Sequence, residues 1–224
     1  MKIRTLALVA VFLFPIHMSN AAVAEAPDPA MLSLIQQRAE AGNAEAQNAM
    51  GVLYMNGQGL PMDSQQAFNW FKKAADQGNA RAISNLGVIF YNGLGVSQDH
   101  AKSAEFFQLA ADKGDADAEY YLGVLYDAGD VMAQDSAQAV NWYRKAAKQG
   151  HPQAQANLGI SYGRGEGVLR DYAESYAWFS VAAANGHESA ATYREDLSEM
   201  LKPARMEAAK ALAKQYIDMY KLVR

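Results

Sequence analysis

The chain has 224 residues, half of them hydrophobic, and no cysteine, which excludes a disulfide framework, a thiolate metal site and a lipid-anchored N-terminal cysteine. Against 20 basic residues stand 24 acidic ones, a net charge of −4 that disfavours nucleic acid as a partner. The length would suffice for one ordinary globular core, but the sequence repeats itself, and that argues for a different shape.

Lys2 and Arg4 precede an apolar run, Leu6 to Phe14, that is too short to cross a bilayer, and Ala22-Val23-Ala24 offers the small residues a signal peptidase needs. Residues 1–24 therefore read as a cleaved secretory signal, and Pro15 argues against a retained anchor helix. Cleavage would leave 18 basic against 24 acidic residues, a net charge of −6. The expectation is a periplasmic or secreted protein, spanning residues 25–224, with no stable membrane insertion once the signal is removed.

After the linker Glu25 to Pro27, Asp28-Pro29 has the form of an N-cap followed by proline at the first helical position. The helix it opens runs to about Ala41. Its residues Met31, Leu34, Ile35 and Ala39 lie 36 positions before Ala67, Trp70, Phe71 and Ala75, which makes it an orphan second helix capping a stack. Gly42, Gly78, Gly114, Gly150 and Gly186 follow at the same spacing of 36 without insertion or deletion, so four units occupy residues 42–77, 78–113, 114–149 and 150–185. A fixed period of this size signals a solenoid, in which each unit packs only on its neighbours.

Each unit reads as two helices. Asn43, Asn79 and Asp115 follow the boundary glycine as good N-caps; His151 is a poor one, with Pro152 behind it. The first helix places Ala46, Met50, Leu53 and Tyr54 on a core side. Gly51, Gly87, Gly123 and Gly159 fall mid-helix, each at a cost of roughly 1 kcal/mol against Ala, which implies a facing helix too close for a Cβ. A turn with two glycines follows, and then Asp63, Asp99, Asp135 and Asp171 start the second helix. Gln66, Gln138 and Glu174 stand where a capping box needs them, while Asp99 meets Lys102 instead. The second helix carries Trp70-Phe71, Phe106-Phe107, Trp142-Tyr143 and Trp178-Phe179 and then alanine doublets. Truncating Trp142 is expected to cost about 3 to 5 kcal/mol, as for a buried aromatic. From Gly186 the pattern decays into a C-terminal cap, 186–224, whose last helix starts near Pro203 and closes the stack with Ala204, Ala208, Ala211, Leu212, Tyr216 and Met219.

Ala154, Ala156 to Gly159, Tyr162, Gly165, Gly167, Val168, Asp171, Trp178, Ala182, Ala183 and Gly186 form a string that resembles the Sel-1-like repeat family, relatives of the tetratricopeptide repeats. The resemblance implies an all-α, right-handed α/α superhelical solenoid whose first helices line a concave face. It also implies, for exported bacterial members, an adaptor role in the envelope or in host contact. Some cysteine-rich members are linked to β-lactam hydrolysis, but this chain lacks the cysteines.

Function is expected where the repeats disagree. The first-helix face opposite the core keeps a Val/Ile column (Val52, Val88, Val124, Ile160) while its neighbours vary, and Asn48, Met55, Ser84, Tyr91, Tyr120 and Asp127 on that face, with Asp130 in the altered turn, are the candidate partner-binding groove. The column itself also fits plain packing between repeats. In the third turn Val131 replaces the second glycine and two acids enter, so this loop is expected to take a different path. The recurrent aspartates are explained by capping, and the histidines have no metal-ligand spacing. No residue is assigned to catalysis, metal or cofactor binding. The basic last helix (Lys202, Arg205, Lys210, Lys214, Lys221, Arg224) reads first as a solvated cap face, with an anionic partner or the inner-membrane surface as the alternative. The leading expectation is a non-catalytic adaptor or regulator for an envelope protein partner. The second is a glycan- or exopolysaccharide-binding assembly factor, and the third a cell-wall or β-lactam hydrolase.

Overall fold

A computed structural model describes residues 26–129, 131 and 133–222; the expected signal segment lies outside them, as does Asp130. The described residues form eleven helices and no strand. α1 (Pro29–Glu40) is followed by the pairs α2 (Ala44–Asn56) and α3 (Ser64–Asp76), α4 (Ala80–Asn92) and α5 (His100–Ala111), α6 (Ala116–Ala128) and α7 (Ser136–Lys148), α8 (Pro152–Arg164) and α9 (Tyr172–Ala184). α10 (Ala190–Met200) and α11 (Pro203–Tyr220) complete the array. Packing runs almost wholly between successive helices, with α11 against α9 as the exception, so the chain is an all-α solenoid with one continuous seam rather than a central core. α1 packs on α2 as each later second helix packs on the next first helix, the place expected of an orphan second helix.

Capping sets the helix starts. The side chains of Asn43, Asn79 and Asp115 each accept the backbone N–H three residues on, at 2.9 Å. His151 does the same work through Nδ1, which accepts from Ala154 N at 3.2 Å. At the second helices, Asp63, Asp99, Asp135 and Asp171 cap as expected. The reciprocal half of the capping box is not what these sites use. The backbone N–H of each aspartate donates to a carbonyl at the end of the first helix, Tyr54, Phe90, Tyr126 or Tyr162, at 2.8 to 2.9 Å. With that donor already satisfied, Gln66, Gln138 and Glu174 have nothing to complete, which is why Lys102 is tolerated in the same place.

The mid-helix glycines have the reason the repeat implied. A Cβ on Gly51, Gly87 or Gly123 would come 2.5 to 2.6 Å from a ring carbon of Phe71, Phe107 or Tyr143, and one on Gly159 3.0 Å from Phe179. The second member of each bulky pair therefore seals the joint between the two helices of its own repeat, and Phe71, Phe107, Tyr143 and Phe179 are all buried. The first member does not seal it. Trp70, Phe106 and Trp142 are only half-buried, so Trp142 is not the core residue the expected truncation cost assumed.

In the third turn Gly129 keeps the left-handed conformation (φ 73°) of its counterparts Gly57, Gly93 and Gly165, but Val131 does not adopt the positive φ of Gly59, Gly95 and Gly167. A Cβ on Gly95 would crowd the Ser64 backbone, and one on Gly167 the Ser136 carbonyl. Val131 instead packs its side chain against the neighbouring core cluster, so the third turn replaces a close backbone approach with side-chain packing.

Candidate interaction surface

The six candidate groove residues that lie within the described residues do not form one open surface. Met55, Ser84 and Tyr91 are buried (8%, 3% and 6% exposed), and Asn48 and Tyr120 are half-buried. Asn48 Oδ1 accepts from Asn85 Nδ2 of the next repeat at 3.0 Å, and Ser84 bonds to the Asp115 carboxyl. Tyr120 stacks on His151 at 4.6 Å, and burial pushes its hydroxyl up to about 12. Asp127 is exposed, with Oδ1 accepting from Ser136 Oγ at 3.5 Å; Asp130 lies outside the described residues. The Val52, Val88 and Val124 column is buried as well. This part of the first-helix face is therefore mostly repeat-to-repeat packing, because each first helix is sandwiched between its own second helix and its neighbours.

That packing contains a ladder that sequence reading missed. At two joints the second residue of a first helix meets the N-cap of the next. Asn79 Nδ2 donates to Glu45 Oε1 at 2.9 Å and His151 Nε2 donates to Asp117 Oδ1 at 3.2 Å, while Arg81 acts on the Asp115 carboxyl through its charge alone, lowering it slightly. Glu with Asn and Asp with His are each a matched pair, so these residues vary together across the joints. A spacing of 34 residues between complementary types was the available signal. Burial and the neighbouring Asp117 raise the Asp115 carboxyl from 3.8 to about 6.

A second surface lies on the outward side of the second helices. In repeats 1 to 3 the positions equivalent to Asn141, Lys145 and Lys148 are exposed, although the next repeat's first helix is already in place. On α9 the equivalents Ala177 and Val181 are fully buried and Trp178 is 4% exposed. What covers them is α11. Tyr216 and Tyr220 lie 4.8 and 5.6 Å from the Trp178 ring, and Tyr216 donates its hydroxyl to the Glu174 carboxylate at 3.1 Å. Burial raises both the Tyr216 hydroxyl and the Glu174 carboxyl. Asn185 fixes the C-terminal end of α11, donating from Nδ2 to Tyr220 O at 3.0 Å and accepting Leu222 N at 2.9 Å. The face of α11 that docks is thus Ala209, Ala213, Tyr216 and Tyr220; Ala204, Ala208, Ala211 and Met219, expected to close the stack, are exposed.

On α7 the same outward face is uncovered. Gln138, Asn141, Trp142, Arg144, Lys145 and Lys148 line a shallow pocket of about 400 Å³. Lys145 Nζ lies 3.6 Å from the Trp142 ring centroid, and Arg144 reaches Asn141 Oδ1 at 3.3 Å and Tyr162 Oη at 3.5 Å. Among the described residues there is no cluster of three metal-ligating side chains and no helix long and apolar enough to cross a membrane.

Comparison with known proteins agrees with this architecture. The Sel1 repeat model matches residues 44–79, 80–115, 116–151 and 152–187, the same period in a frame two residues later. A protective antigen present in uropathogenic Escherichia coli strains, displaying an SLR fold, is 38% identical with a TM-score of 0.77 over 85% of this chain and 41% of its own. A Sel1 repeat protein from Oxalobacter formigenes is 33% identical with a TM-score of 0.67 over 76% of this chain and 50% of its own. This chain thus spans half or less of the length of both. An immunity protein from Pseudomonas aeruginosa shares the fold at 22% identity, with a TM-score of 0.58 over 88% of this chain and 79% of its own. No curated protein sequence matches the chain significantly. Four contiguous repeat matches, together with the paired helices, the glycine-to-ring joints and the capped turns, establish that the chain belongs to the Sel1 repeat family.

Proposed function

We propose that this protein is a non-catalytic interaction scaffold, exported to the periplasm or beyond, that presents the outer surfaces of its repeats to a protein partner. The observation that carries this reading is the division of labour among positions. Residues that recur every 36 positions are consumed by caps, joints and turns, whereas exposed residues at equivalent positions differ from repeat to repeat. A fixed frame with variable display is what a recognition surface needs and an active site does not. The charge pattern and small residues near the N-terminus support export, and the similar Escherichia coli protein is described as a protective antigen, which accords with it.

A photo-reactive residue placed in turn at exposed positions of α3, α5 and α7 in the producing bacterium, followed by fractionation, tests the reading. Discrete protein adducts in the envelope fraction are expected from a subset of positions. Turnover of a cell-wall substrate without any adduct would replace the scaffold with an enzyme.

A further inference from the structure

The face that α11 covers on α9 exists on every second helix, and on α7 it has a character of its own. Repeat 1 carries Asp76 there, paired with Lys72 at 2.8 Å, and repeat 2 carries Glu105 and Asp112. Repeat 3 has no acid on this face and three cations, Arg144, Lys145 and Lys148, on a chain whose net charge is −4. Among the described residues none of the three is held in an ion pair. Trp142, the counterpart of the Trp178 that α11 buries, stays half-exposed in the lining of the pocket.

We propose that the outward face of α7 is the docking site for an acidic helical segment of a partner protein, seated on Trp142 through two aromatic residues four positions apart, as α11 is seated on Trp178. This rests on the scaffold reading and names the site and the chemistry of its partner. The intramolecular contact supplies the geometry: Tyr216 and Tyr220, themselves 5.8 Å apart, cluster against an indole that would otherwise face water, and the Tyr216 hydroxyl finds a polar group one turn away at Glu174. On α7 that polar position is Gln138, and Lys145 and Lys148 replace the Val181 and Ala184 of α9. The occupant must therefore bring aspartate or glutamate where α11 brings alanine. A second copy of this chain is disfavoured as occupant, because α11 itself carries Arg205, Lys210 and Lys214 against Glu207 and Asp218. Tryptophan and arginine in a partly desolvated pocket are the residue types that anchor interfaces.

The test is selection of a displayed library of 16-residue helical peptides on the full mature chain, followed by fluorescence anisotropy of the enriched peptides. Enriched peptides should share net negative charge and an aromatic pair at i and i+4. The double variant Lys145→Glu/Lys148→Glu should weaken them at least tenfold while melting at the wild-type temperature, both side chains being exposed. Lys73→Glu, at the equivalent site of repeat 1, should leave them unchanged. Peptides without acidic bias, or binding indifferent to Lys145→Glu/Lys148→Glu, would overturn the site while leaving the scaffold reading intact. Failure to enrich any peptide would count against both. If alginate, an anionic glycan, competes as well as the peptide and replacing the peptide's aromatics with alanine costs nothing, the face is a general anion surface and the proposal fails.

Discussion

At the scale of single residues, Gly123 shows how a helix-weakening choice becomes obligatory. Alanine would gain roughly 1 kcal/mol in intrinsic helix preference, but its Cβ would stand 2.5 Å from the Tyr143 ring and 3.2 Å from the Ala139 carbonyl. Tyr143 is 2% exposed and has nowhere to move. Gly123→Ala is expected to lose about 1 to 3 kcal/mol through overpacking, and a urea melt showing equal or greater stability would refute the joint.

Asp115 makes the opposite kind of compromise. Its carboxyl is raised from 3.8 to about 6, first by burial and then by Asp117, so the folded chain holds the proton more tightly than the unfolded one. The sign follows: stability falls as pH rises through the window between about 4 and 6, and above it the ionised group carries a cost. Repeats 1 and 2 use Asn43 and Asn79 in this place. Asp115→Asn keeps the cap to Ala118 and should stabilise the protein at pH 7 by on the order of 1 to 3 kcal/mol. The gain should vanish near pH 4, and thermal melts across that range would show a pH-independent difference if the assignment were wrong. The need for a glycine at 123 was legible because the position recurs. The shift at Asp115 was not, because it depends on a neighbour brought in by the fold rather than by the chain.

At the scale of the element, the second-helix cap separates what a sequence motif suggests from what the backbone needs. The aspartate accepts two N–H groups at Asp63, Asp135 and Asp171, and its own N–H is consumed by the preceding helix. Asp63→Ala should therefore cost about 0.5 to 2 kcal/mol, whereas Gln66→Ala should change stability by less than about 0.5 kcal/mol, as expected of an exposed site. Equal losses in chemical denaturation would restore the capping box. The bulky pairs divide in the same way. Tyr143→Ala is expected to lose about 3 to 5 kcal/mol, and Trp142→Ala, half-buried, clearly less. In sequence the two members of a pair are equally conspicuous, and only the glycine across the joint identifies the sealing one.

The last helix was legible as an element but not as a docked face. α11 has alanine at 204, 208, 209, 211 and 213, so small residues surround it and no stripe stands out. Its orientation is chosen by Trp178 and Glu174 on α9, through the tyrosines that reach them. The same reason hid the α7 surface: three cations on a helix look like a solvated face until an equivalent face is seen covered.

At the scale of the whole molecule, the array is a set of interchangeable joints carrying non-interchangeable surfaces. Nearest-neighbour packing means that one repeat can be exchanged without disturbing distant ones, and the joints suit it, since Glu45, like Asp117, accepts from the N-cap side chain of the following repeat. Replacing residues 114–149 with a second copy of residues 42–77 preserves the period, the caps and the sealing glycine while changing the α7 face from three cations without an acid to Lys72 and Lys73 with Asp76, which pairs with Lys72. Photo-crosslinking to the proposed protein partner in intact cells, compared between the wild-type and exchanged chains, tests the division between frame and display most directly. The account predicts that the exchanged chain folds, with a cooperative melt close to wild type, and loses the partner adduct; an exchanged chain that folds and keeps the same adduct would contradict it.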